Sequence, residues 1–189
     1  MIKRELLTIP NILSFYRIFS FPLVLYFAIG HEETIFVVLL VVNLITDILD
    51  GFIARRFKIQ TEFGARLDSI ADVGTYILAV VGIFVFKAED FAPHLLSFYV
   101  FLSLFLFSNI LSLIKFKRFP SLHLYSWKIG GYIQGFFFFI LFVFGFFPGL
   151  YYFMVFWGIT SFIEHIVIQL IFREMKSNSK GLYWVLKNK

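Results

Sequence analysis

Between Asn11 and Phe172 the chain returns again and again to apolar runs of about 20 residues, separated by short polar breaks. A helix rises about 1.5 Å per residue, so a run of that length crosses the roughly 30 Å of hydrocarbon in a bilayer. Six runs qualify: Asn11 to Gly30, Thr34 to Ala54, Phe63 to Phe86, Phe91 to Ile114, Lys128 to Phe147 and Leu150 to Phe172. The uncharged stretch from Ile129 to Ile163 is too long for one span, and Phe147, Pro148 and Gly149 supply the turn that makes it a helical hairpin. With 60% of the residues hydrophobic and only 15% charged, nothing is left over for a soluble domain.

The basic residues orient these spans. Alternating the loops between sides places sixteen of the 17 lysines and arginines on or near one face, and only Lys87 on the other. The second face carries Glu32, Glu33, Glu89 and Asp90 instead. Such an asymmetry marks the basic face as cytoplasmic and puts both termini there, whereas five or seven spans would destroy it. The sequence therefore predicts an all-α integral membrane protein with six transmembrane helices and its N- and C-termini in the cytoplasm. It forms one domain over residues 1–189, with a short amphipathic surface segment over 1–10, the bundle over 11–172 and a basic cytoplasmic tail over 173–189. Lys3 and Arg4 before an apolar run resemble a signal peptide, but Arg17 lies inside what would be its apolar core, so the segment reads as the first span. The cell membrane is the expected location, with the functional face toward the cytoplasm.

Composition excludes two classes. Without cysteine there is no disulfide framework and no thiol nucleophile, so chemistry has to use oxygen or nitrogen ligands. The net charge of +5 does not point to nucleic acid, because the basic residues are scattered and form no stripe. An anionic membrane surface or a phosphate-bearing substrate fits better.

Against this background four aspartates stand out in DILDGFIARRFKIQTEFGARLDSIAD, residues 47–72. An ionisable group inside a span is functional by default and needs a partner. Asp47, Asp50, Gly51 and Ala54 share one face of the second span, and Gly64, Asp68 and Asp72 share one face of the third. Asp47 lies about 12 Å before Arg55 along the axis and Asp72 about 9 Å beyond Arg66, so two antiparallel helices bring both pairs to similar depth. No equal number of basic residues lies at that depth, which makes divalent cations the economical partner. Clustered carboxylates suit Mg²⁺ or Mn²⁺, which commonly share their coordination with substrate phosphates. Arg17, inside the first span, also needs an anion, and either a motif aspartate or a bound phosphate would serve. Gly51, Ala54 and Gly64 remove bulk beside the acids; taken singly they read as helix packing, taken together as a slot for a substrate.

At Asp47, Asp50, Gly51, Ala54, Arg55, Gly64, Asp68 and Asp72, both residue types and spacing resemble the signature of the CDP-alcohol phosphotransferase (phosphatidyltransferase) family, and Asn11 to Arg17 resembles the family's N-terminal pattern. The resemblance implies an enzyme of phospholipid biosynthesis that uses an alcohol hydroxyl to displace CMP from CDP-diacylglycerol. It further implies that Asp47, Asp50 and Asp68 are the principal ligands of a pair of Mg²⁺ or Mn²⁺ ions, that Asp72 shares the second ion and acts as general base, and that the protein is a homodimer. Gly51, Ala54, Arg55, Gly64, Arg17 and Asn11 would border the donor nucleotide. The acceptor best matching the chain is glycerol 3-phosphate, with Lys128, Arg118 and His123 as candidate contacts. Lys128 to Gln134 partly resembles the pattern of phosphatidylglycerophosphate synthases, although Gly131 replaces the expected Thr. Serine or an inositol phosphate remains an alternative acceptor, because Ser69 and Val73 depart from the usual residues of those synthases.

Other polar residues within spans, Glu164, His165, Asn109 and Gln134, read as structural contacts between helices, and the Phe136 to Phe139 run as packing or lipid-facing surface. A different class, a cation transporter using the four aspartates as an ion path, would not require Gly51, Ala54 and Arg55 at fixed spacing, and would more naturally place its site near the midplane.

Overall fold

The structure is a computed structural model, and it describes residues 8–117, 124–171 and 181–187. Its long helices are α1 (Ile9–Ile29), α2 (Glu33–Arg56), α3 (Glu62–Phe86), α5 (Leu95–Phe116), α6 (Tyr125–Val143) and α7 (Pro148–Ile171). Two short ones, α4 (Ala88–Phe91) and α8 (Leu182–Lys187), accompany them. Six helical segments are long and apolar enough to cross a membrane, as the sequence predicts. Large apolar side chains such as Phe19, Leu96 and Ile114 stand out from their helices, as expected of surface meant for lipid. The amphipathic stretch before Thr8 and most of the basic tail lie outside the described residues, as do Arg118 and His123.

The chain divides into two compact units, one ending at Phe91 and the other starting at Ala92. In the first, α1 packs against both α2 and α3, and those two pack on each other. Both connections use the same closing motif. His31 after α1 and Lys58 after α2 adopt left-handed backbone, with φ of 56° and 54°. The following amides then reach back, Glu32 N–H to the Phe27 carbonyl and Ile59 N–H to the Ala54 carbonyl, satisfying carbonyls that the helix end leaves open. Thr61 opens α3 by accepting a hydrogen bond from the Gly64 amide at 3.0 Å. At the opposite end of the hairpin Lys87 pairs with Glu33 at 2.7 Å, so the one lysine on the acidic face has an acid from that face as its partner.

In the second unit α7 packs against both α5 and α6. Pro148 starts α7, where its missing N–H is not needed, so the connection runs over 144–147; of the predicted turn only Phe147 lies in it, and Pro148 and Gly149 open α7. The Phe136–Phe139 run splits by face: Phe137 and Phe138 are buried, while Phe136 is exposed. Lys115 Nζ donates to the Gln169 carbonyl at 2.6 Å, tying α5 to the end of α7. The short α8 docks through Val185 near Leu124 and Ile168, leaving Tyr183 and Trp184 exposed.

Candidate active site

The buried face of α1 presents Asn11, Ser14, Arg17 and Ser20, one polar residue per turn, toward α2 and α3. Arg17 stands at the centre of the site. Its side chain has no solvent exposure, yet its guanidinium meets all four aspartates. Nη1 donates to Asp47 at 2.6 Å and Asp72 at 2.8 Å; Nη2 donates to Asp50 and Asp68, both at 2.6 Å. Each terminal nitrogen therefore bridges one carboxylate of α2 to one of α3. The pairing of 47 with 72 and 50 with 68 is the register expected for antiparallel helices carrying acids at matched depth.

Of the two anions expected for Arg17, the motif aspartates are the ones it meets, and a single planar fork serves all four. A guanidinium carries five N–H donors in fixed directions, and four of Arg17's are taken by carboxylates. Its Nε is buried without a hydrogen-bond partner among the described residues. With all four acids ionised, one positive charge faces four negative ones, so the cluster keeps a strong appetite for further cations.

Exposure differs within the quartet. The Asp50 side chain is 4% exposed and also accepts a bond from the Ser14 hydroxyl at 3.2 Å, whereas those of Asp47, Asp68 and Asp72 are 41–43% exposed. The site thus has a closed floor, formed by Arg17, Ser14 and Asp50, and an open side edged by the other three carboxylates. Asp47, Asp50 and Asp68 can each bring one oxygen within 4.8 Å of the others. Hard oxygen donors at that spacing suit Mg²⁺ or Mn²⁺, so the residues present fit the metal that the resemblance implies. Carboxylates converging on one point, rather than spaced along a span, do not describe an ion path.

The small residues serve a more local purpose than a bare slot. A Cβ on Gly64 would meet the Asn11 Oδ1 at 2.6 Å and the Thr61 Oγ1 at 3.1 Å, so glycine there lets α1 and the cap of α3 close on each other. A Cβ on Gly51 would lie 3.2 Å from the Arg55 guanidinium, which folds back along its own helix. Asn11 and Arg55 are thereby brought to the acid end of α2 and α3, and Ala54 is half-buried one residue before Arg55. Ser14 carries a contact to the quartet that periodicity alone does not assign; its place three residues before Arg17, on the same face, is the signal that points to it.

In the second unit Lys128 is exposed near the start of α6. Glu164 and His165 do not act as a pair: Glu164 accepts from the Ser126 hydroxyl and from the Leu182 amide at 2.8 Å, fixing α6 and α8, while His165 meets Gln169 and Ser108. Asn109 departs from the expected contact between helices, since its amide donates to the Phe105 carbonyl of its own helix at 2.8 Å. A hollow of about 640 Å³ at the α6–α7 turn is lined by Phe136, Ile140, Phe144 and Phe147 and offers no polar group for chemistry.

Six helices long and apolar enough to cross a membrane and an acid quartet closed over a buried arginine define a membrane protein with a carboxylate-rich site able to hold a divalent cation. The CDP-alcohol phosphatidyltransferase family model matches residues 7–169, and the chain belongs to that family. Several curated relatives carry the name CDP-diacylglycerol–glycerol-3-phosphate 3-phosphatidyltransferase. The protein of Cereibacter sphaeroides is 36% identical over 78 residues, covering 39% of this chain and 35% of the relative. That of Aquifex aeolicus is 32% identical over 87 residues, 46% of this chain and 49% of the relative. That of Escherichia coli K12 is 36% identical over 76 residues, 39% of this chain and 42% of the relative. The chain matches about half or less of the length of these relatives. No solved structure matches it.

Proposed function

We propose that the chain transfers the phosphatidyl group of CDP-diacylglycerol to glycerol 3-phosphate and releases CMP, from a site open to the cytoplasm. The observation that carries this is the convergence of Asp47, Asp50, Asp68 and Asp72 on one point, within a stretch that matches the family and beside relatives named for this reaction. Asp47, Asp50 and Asp68 would hold a pair of Mg²⁺ or Mn²⁺ ions, with Asp72 sharing the second. When bound, such ions neutralise the diphosphate of the donor and the charge on departing CMP.

The chain's own residues supply the rest. Asp50, buried and tied to Ser14 and Arg17, is the fixed carboxylate against which the others are set. Asp72 is the motif acid farthest along α3 from the α2–α3 connection and has an exposed edge, so it can take the proton of the acceptor hydroxyl. Asn11, Gly51, Ala54, Arg55 and Gly64, at the other end of the acid cluster, border the cytidine diphosphate, and Arg17 holds the floor. Lys128 is the cation assigned to the acceptor's phosphate, together with Arg118 and His123, and the working form is a homodimer.

Purified protein is incubated with CDP-diacylglycerol, Mg²⁺ or Mn²⁺ and, separately, glycerol 3-phosphate, serine, an inositol phosphate or no alcohol, while CMP and the lipid product are followed. CMP release is expected with glycerol 3-phosphate and a divalent ion, and to vanish on chelation. Release with a different alcohol alone would change the acceptor; no release with any alcohol would overturn the function.

A further inference from the structure

We propose that Arg17 is a built-in counter-cation that divalent ions have to displace: its guanidinium holds the four carboxylates together in the ion-free protein and competes with the ions for the same oxygens. This rests on the reading that the quartet is the ion site. Three features of the molecule lead to it. The carboxylates brought within reach of one another for an ion, those of Asp47, Asp50 and Asp68, are all bonded to Arg17 at 2.6 Å. Every terminal N–H of the guanidinium is committed to an aspartate, while Nε is left buried and unpartnered among the described residues. A pocket built to keep a guanidinium permanently would satisfy all five donors; here the side chain is held by charge at one end only.

The third feature is the arrangement of exposure. Arg17 is wholly covered, whereas Asp47, Asp68 and Asp72 are open on the far side, so an ion approaches the carboxylates from the side opposite the guanidinium. A divalent ion and a guanidinium cannot both lie among these oxygens without strong mutual repulsion. Because the side chain is tethered to α1, its withdrawal leaves it next to the site with its terminal nitrogens released from the carboxylates and open to reaction. Without such a cation, the ion-free protein would carry four like charges on two adjacent helices, which would push α2 and α3 apart.

The test measures Mn²⁺ binding by calorimetry and by the Mn²⁺ resonance spectrum, with no substrate present. Arg17→Gln should bind Mn²⁺ at least about tenfold more tightly than the native chain, because a unit charge within contact distance has been removed. Its thermal midpoint without ions should fall, and saturating Mn²⁺ should restore most of the difference. Arg17→Lys, which keeps the charge, should stay near the native affinity, a split that a merely structural role would not produce. Unchanged or weaker binding by Arg17→Gln overturns the proposal. A measurement on the native chain guards against a variant that does not fold: arginine-specific modification by phenylglyoxal, located by peptide mass spectrometry, with exposed Arg66 as reference. Mn²⁺ should speed modification at Arg17 relative to Arg66; no change or slower reaction overturns the proposal. If Mn²⁺ binds without competing with Arg17, only this inference fails, whereas no Mn²⁺ binding by any form removes the ion site of the proposed function as well.

Discussion

Among the described residues, the buried polar side chains up to Phe91 include charges, and those charges meet at one point; from Ala92 onward they are hydroxyls, an amide and an imidazole, spread along the helices. In the first unit Arg17, Asp50 and their partners bind three helices through one cluster. In the second, Ser108, Ser161, His165 and Gln169 make separate contacts that tie α7 to α5 and α6. Neutral contacts of this kind inside a membrane contribute modestly and hold helices in place. Concentrated charge is a poor way to stabilise a bundle, since a buried ion pair can cost as much in desolvation as it returns. Among the described residues it occurs in the first unit, which makes Arg17 and the four aspartates the candidate site of the chemistry.

The contrast can be broken by single substitutions. The largest effect is expected from Asp50→Asn, which leaves Arg17 facing a neutral amide at the one fully covered carboxylate. Arg17 keeps its three other carboxylates, so the loss falls on function: the ion site loses its fixed ligand, and donor binding and turnover should fall together. An Asp50→Asn protein that keeps native donor binding and CMP release would remove the distinction between the units.

Next in size is Gly64→Ala. The added methyl would lie 2.6 Å from Asn11 Oδ1, and the polar end of Asn11 has to give way. Overpacking of this kind costs about 1–3 kcal/mol, and here it should also raise the apparent KM for the donor, measured by CMP release. Gly135→Ala is the matched control in the second unit, where a Cβ meets nothing within 4 Å. It should be neutral, or stabilising by up to about 1 kcal/mol through helix propensity. Equal effects of the two alanines would show that Gly64 has no special closeness to α1.

The smallest effect on chemistry is expected from Glu164→Gln. It weakens the bonds to Ser126 and the Leu182 amide by about 1 kcal/mol and should loosen α8, seen as faster proteolysis beyond Gly181. Turnover should stay near native. A collapse of turnover would mean that the Glu164 contacts serve the reaction and not only the seating of α8.

Much of this architecture is legible in the sequence, for physical reasons that differ by residue. Run length sets the spans, because hydrocarbon thickness leaves little freedom, and the observed helices Ile9–Ile29 and Pro148–Ile171 start within about two residues of the predicted ones. The i, i+3, i+4 spacing and similar distances from Arg55 and Arg66 place the acids at one depth, and the pairing of 47 with 72 and 50 with 68 agrees with it. What spacing along a helix does not encode is which side chain of another helix fills the gap. The burial of Arg17 calls for an anion of some kind, and only the packing of α1 against both α2 and α3 reveals that it meets four. Glycine has the same ambiguity, since a missing Cβ at Gly64 or Gly51 makes room for a ligand and for Asn11 or Arg55 alike. The turns at His31 and Lys58 are also hidden, because neither residue type announces left-handed backbone.

The most direct test of the site is to measure donor affinity and turnover in Asp72→Asn, since the quartet of the first unit is proposed to be one site with divided labour. The amide is nearly the same shape but cannot take a proton, so CDP-diacylglycerol affinity should stay close to native while CMP release falls by about 10²–10⁴-fold. Near-normal turnover, or a loss of donor binding as deep as that of Asp50→Asn, would contradict that division.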